Sequence, residues 1–84
     1  MDVRSRIRRY LDKAITEEFR DGDDIFVLGV VDSLFALQLV AFVESEFAIT
    51  VELPDLDIDN FCSVDALTRL VLGKLEPGHE RPAD

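Results

Sequence analysis

The sequence predicts an all-α fold: a small four-helix bundle with a long loop between helices 1 and 2 and a short third helix. Three observations carry that expectation. Apolar residues recur at helical spacing in three separate stretches. Asp-rich and proline-bearing segments interrupt them, and 84 residues suffice for one domain only. At this size a single core has little stability to spare, so most periodic apolar positions should be structural.

In residues 3–19 the apolar positions are Val3, Ile7, Tyr10, Leu11, Ala14, Ile15 and Phe19, one helical stripe ending near Arg20. Arg4, Arg6, Arg8, Arg9 and Lys13 lie off it and read as a solvated face. An arginine cluster at the electropositive end of a helix gains nothing from the dipole, which leaves docking as a lesser alternative. Asp21-Gly22-Asp23-Asp24 is loop chemistry. The apolar residues that follow, Ile25 to Leu28, suggest a connection folded down over the core.

The second helix should run from Ser33 to Phe47, capped by Asp32 or Ser33. Ala36, Leu39, Val40, Val43 and Phe47 form a core-facing line. Leu34, Leu37 and Ala41 form another, beside Gln38 and Ser45. A helix apolar on two sides is either fully buried or offers one stripe to a partner. In so small a domain, Leu34, Leu37, Gln38 and Ala41 are candidate docking residues. Residues 48–53 form a loop, a short helical turn falls within Asp55 to Phe61, and Ser63 caps a last helix. That helix buries Val64, Leu67, Leu70, Val71 and Leu75, with Gly73 obscuring its end. Residues 1–75 make the domain; 76–84, with two prolines and Gly78, make a flexible polar tail.

Eighteen acidic against nine basic residues give a net charge of −9, which opposes nucleic acid as a partner and favours positively charged protein surfaces. No apolar stretch approaches bilayer length and no secretory h-region opens the chain. The only cysteine, Cys62, excludes an internal disulfide. Together these predict a soluble, cytoplasmic monomer without membrane association.

Chemistry concentrates at Gly29-Val30-Val31-Asp32-Ser33-Leu34, where a serine stands at a helix N-terminus beside an aspartate. Amide groups and the helix dipole favour an anion there, so a phosphodiester on Ser33 would be well placed. From position alone, a plain N-cap serine is the commoner reading. Asp55, Asp57 and Asp59 have calcium-like spacing, but Asn60 and Ala66 occupy the places where an EF-hand loop wants Gly and Glu. Leu56 and Ile58 instead suggest a loop pinned to the core. Ser33 lies outside G-x-S-x-G and the only histidine is His79, so a hydrolase is not supported. Cys62 has no fixed base and reads as a half-buried structural residue. No catalytic residue and no metal site is assigned.

Asp32-Ser33-Leu34, the apolar helix closing on Glu44-Ser45-Glu46-Phe47, the Asp-rich loop after a Glu-rich turn, and Asp57-Ile58-Asp59-Asn60-Phe61 before Ser63-Val64 resemble the acyl carrier protein family. The likeness spans residues 3–75. It implies an acyl carrier domain, not an enzyme, in which Ser33 bears 4′-phosphopantetheine donated by coenzyme A through a Mg²⁺-dependent phosphopantetheinyl transferase. Asp32 would help position the metal or the incoming group, and Leu34 flanks the attachment point. The resemblance implies acyl-loading, acyl-modifying and acyl-accepting partner enzymes, such as an acyltransferase, dehydrogenase or ketosynthase. The departures have a direction: Phe35 and Ala36 follow the motif, and Gln38 stands where Glu is typical, while Glu44 and Glu46 keep acid at the far end. Docking should therefore lean on apolar contact. The stretch Ser33 to Val40, with Asp57-Ile58-Asp59-Asn60-Phe61, looks like discrete carriers of polyketide and antibiotic biosynthesis, including those for three-carbon extender units such as methoxymalonyl. A peptidyl or aminoacyl carrier, and a helical interaction domain without an arm, are the alternatives.

Overall fold

A computed structural model describes residues 2–29 and 31–75. Val30 and the tail expected at 76–84 lie outside the described residues. The described residues form four α-helices, α1 (Val3–Ala14), α2 (Ser33–Phe47), α3 (Ile58–Phe61) and α4 (Val64–Leu75), with a 3₁₀ turn at Leu53–Asp55. The all-helical bundle, its long first connection and its short third helix match the sequence expectation.

One core unites the elements. Ile7 and Leu11 of α1, Leu39 and Val43 of α2, and Val64, Leu67 and Val71 of α4 are fully buried around Ile25 from the loop. Each such side chain contributes about 1.5–3 kcal/mol on burial. On α2 the buried line is Leu39, Val43 and Phe47, with Ala36 and Val40 half-buried. A third face of α2, which the two-stripe reading overlooked, carries Phe35 and Phe42. Tyr10 of α1 stacks on Phe42 with centroids 4.0 Å apart and lies 6.2 Å from Phe35.

Helix 1 ends about six residues before the sequence expectation, at Ala14 and not near Arg20. The apolar spacing of Ile15 and Phe19 mimicked a continuing helix, and both are indeed buried. An irregular run that opens with Ile15 in extended conformation and bends at Glu17 brings them there instead. Ile15 and Thr16 are β-branched and weak helix formers. The Arg8 guanidinium donates to the Phe19 carbonyl at 2.8 Å and lies 4.0 Å over the Phe19 ring, which holds the chain out of the helix. Ala14, assigned to the stripe, is exposed.

The arginines of α1 are not simply a solvated face. Arg4 bridges Asp21 and Asp65, Arg8 reaches Asp12 and Asp21, and Arg6 pairs with Glu46 across the α1–α2 groove. The Arg4 guanidinium is held above its ordinary pKa, first by its hydrogen bond to Asp65. Asp2 caps α1 by accepting from the Ser5 amide, which lowers its carboxyl below the usual range.

Two backbone bonds then fasten the loop to the α3–α4 junction. The Ile25 amide donates to the Cys62 carbonyl at 2.8 Å, and the Asp65 amide donates to the Asp21 carbonyl at 3.0 Å. Asp24 closes a turn by accepting from Phe26 and Val27. At the other end Ala48 takes a left-handed conformation, φ 56°, to terminate α2. Lys74, its side chain only 13% exposed, pairs with Asp55 at 2.5 Å and ties the 3₁₀ turn to α4. Ser63 caps α4 through the Ala66 amide as expected, and α4 continues through Gly73 to Leu75, which is exposed rather than buried.

Arg8→Met removes the guanidinium that binds the Phe19 carbonyl, Asp12 and Asp21 and covers the Phe19 ring. The expected loss is about 1–2 kcal/mol of stability, read from the urea midpoint with helical content unchanged. An unaltered midpoint would show that the irregular run holds without it.

Candidate functional site around Ser33

The two capping candidates separate cleanly. The Asp32 carboxylate accepts from the Phe35 amide at 3.0 Å, and the Ala36 amide donates to the Asp32 carbonyl, so Asp32 is the N-cap and Ser33 the first helical residue. The Ser33 side chain is exposed and its hydroxyl makes no hydrogen bond to any described residue. The capping duty that would have explained a serine here belongs to its neighbour. The amides of Ser33 and Leu34, in the first turn, have no helical carbonyl to reach and face the end where an anion is favoured.

Gly29, at φ 76°, turns the chain toward this point in a conformation suited to glycine. Two clefts flank Ser33. One, of about 360 Å³, lies between the end of α1 and the start of α2 and involves Ala14, Asp32 and Gln38. The other is an apolar groove of about 290 Å³ that begins at Ser33 and runs between α2 and α3, past Leu37, Val40, Ile58 and Phe61.

The second stripe of α2, offered in the sequence as a docking surface, faces outward. Leu34 is 63% and Leu37 67% exposed, and Gln38 and Ala41 are exposed beside them. The acids at its far end also have partners within the fold. Glu44 accepts from the Val51 amide at 2.8 Å, and Glu46 holds Arg6 at 3.1 Å.

Two other expectations are corrected. The loop residues 25–28 do not all fold onto the core: Ile25 is buried and Phe26 half-buried, but Val27 is 80% exposed and Leu28 also lies open. Leu56 and Ile58 likewise are exposed, and it is Phe61 that anchors α3. These four apolar residues belong to the surface, and Leu56 and Ile58 line the groove that starts at Ser33. The available signal was quantitative: the chain carries more large apolar residues than one core of this size can enclose. Asp55 and Asp57 have structural duties, Asp55 in the Lys74 pair and Asp57 as the α3 cap. Among the described residues no group of three or more ligand side chains could hold a metal, and no helix is long and apolar enough to cross a membrane. Cys62 is half-buried, its thiol turned to the Asp59 carbonyl.

If Asp32 alone caps α2, then Ser33→Ala should leave stability within about 0.5 kcal/mol of the parent, whereas Asp32→Ala should lose about 1 kcal/mol. Thermal melts of the two variants decide the matter. Equal losses would mean that Ser33 shares the capping.

No family model matches the chain. A curated relative, the D-alanyl carrier protein of Streptococcus mutans serotype c, is 30% identical over 63 residues, covering 73% of this chain and 80% of its own length. With the helical bundle and the exposed serine at the head of α2, that likeness places the chain in the acyl-carrier-protein-like family, as a carrier and not an enzyme.

Proposed function

We propose that Ser33 is the attachment point for 4′-phosphopantetheine, and that the chain carries a small aminoacyl unit as a thioester on that arm. The observation that carries the first half is the free, exposed Ser33 hydroxyl beside an aspartate that has taken over the cap. The residues fit the group. The oxygen is open to a transferase, and unpaired amides of the first turn suit a phosphodiester. The second carboxylate oxygen of Asp32 makes no hydrogen bond to a described residue and suits a metal brought by the transferase. When bound, the arm supplies a terminal thiol that activates an acyl carbon and tethers it at high effective concentration. The protein's own part is to present the hydroxyl, to offer Leu34, Leu37 and Ala41 for docking, and to provide the apolar groove against which arm or cargo can rest.

The aminoacyl cargo is supported by the streptococcal relative, which is named for D-alanine. A second reading, a three-carbon extender unit for polyketide assembly, is favoured by the resemblance of Ser33 to Val40 and by the weakly acidic docking helix. Both cargoes are short, in keeping with so small a groove.

Incubation with coenzyme A, Mg²⁺ and a broad-specificity phosphopantetheinyl transferase should add the mass of one phosphopantetheine, and Ser33→Ala should add none. An unmodified parent chain would remove the carrier reading. The modified protein, offered to amino-acid-activating ligases and to malonyl-type acyltransferases, should be charged by the former. Charging by the acyltransferases alone would give the cargo to the second reading.

A further inference from the structure

The groove between α1 and α2 has the wrong sign of charge for this chain. Eighteen acids outnumber nine bases, and the folded protein uses that surplus to pair Arg4, Arg6 and Arg8 of α1 internally. Arg9 and Lys13, one turn apart on the same helix, are left exposed without a partner among the described residues. Like charges at that spacing repel. Lys13 gains from the carbonyl end of α1, but Arg9 sits too far back to do so. The fold therefore supplies no reason for Arg9. Between these cations lies a cleft of about 390 Å³ involving Arg6, Tyr10, Phe42 and Glu46. The half-buried Tyr10–Phe42 ring pair lies in it, and the Arg6–Glu46 pair closes one end. An aromatic surface flanked by unpaired cations is a recognition chemistry, not a solvated face.

We propose that this α1–α2 groove is a second docking surface, separate from the Leu34–Leu37 stripe, and that it receives an acidic segment of a partner protein. Carboxylates spaced by one helical turn meet Arg9 and Lys13, and an apolar side chain between them covers the Tyr10–Phe42 pair. Charge selects this occupant over two others. A second copy paired symmetrically would set Arg9 and Lys13 against themselves, and any pairing brings together two chains of charge −9. An extended anionic membrane meets the chain's net charge of −9 around the groove, whereas a partner protein can present acid locally on an otherwise neutral or basic surface. The proposal goes beyond the carrier reading and stands whether or not Ser33 is modified.

The test follows the amide NMR spectrum of the full chain during titration with a capped helical peptide bearing glutamates four residues apart around a leucine. A control peptide has lysine in place of each glutamate. Saturable shifts should appear at Arg9, Tyr10, Lys13 and Phe42 with the acidic peptide only. They should weaken with salt, and by at least about tenfold in Arg9→Gln/Lys13→Gln, whose exposed sites leave the fold intact. Equal shifts with the control peptide, or shifts at Leu34 and Leu37 instead, would overturn the proposal. Concentration-dependent shifts at the groove without peptide would assign it to a second copy. Binding through the same residues to phosphatidylglycerol vesicles, and not to the peptide, would assign it to lipid.

Discussion

Between α1 and α2 the described residues, 15–29 and 31–32, hold no regular helix, yet this connection decides where Ser33 stands. Its fastening to the bundle is the constraint on which the rest depends. Ile25 is sunk completely into the core and its amide is bound to Cys62, while the Asp21 carbonyl serves the first turn of α4. Arg4 and Arg8 draw Asp21 against α1 from the other side. Individually, ion pairs this exposed contribute little. Around a buried isoleucine and two backbone bonds they form a network that removes the loop's freedom, and the start of α2 becomes a fixed place on the surface.

At that place the division of labour between adjacent residues matters more than either residue alone. A helix N-terminus must satisfy its first amides, and a short polar side chain at the boundary is usually consumed in doing so. Here Asp32 is consumed and Ser33 is spared. The same economy runs through the acids of the molecule. Asp24 closes a turn, Asp57 caps α3, Glu44 binds the Val51 amide, and Asp55 secures Lys74. Much of what reads as a negative surface in composition is internal fastening, and many of the large apolar side chains are left bare. Leu34 and Leu37 on α2, Leu56 and Ile58 near α3, and Val27 in the loop are all exposed.

The bounds of α2 and the core line through Leu39, Val43 and Phe47 were legible in the sequence, because a capping Asp-Ser pair opens a long run of apolar residues at helical spacing. The second stripe was legible too: Leu34 and Leu37 fall off the core line, and of the two fates open to them, burial or exposure, the fold takes exposure. Legibility failed where a side chain's destiny depends on tertiary partners. Phe19 sits four residues after Ile15, at a spacing that a helix and an irregular run can both satisfy. The Arg8 contacts that choose between them come from a separate part of the chain. Likewise nothing local distinguishes Ile25, fully buried, from Val27, exposed, since both lie in one apolar run. Asp32 and Ser33 are both good caps, and only the folded geometry shows which side chain turns back to the Phe35 amide.

The central claim is that Ser33 is a free hydroxyl on a preformed helix end, so that attachment of an arm requires no rearrangement. Comparison of amide NMR spectra before and after phosphopantetheine attachment measures this most directly. The account predicts changes confined to the loop end and first turn of α2, around Val31 to Leu37, with the amides of Leu39, Val43, Leu67 and Val71 unmoved. Shifts spread through those core positions would contradict it, because they would mean that the bundle has to open before the serine can be reached.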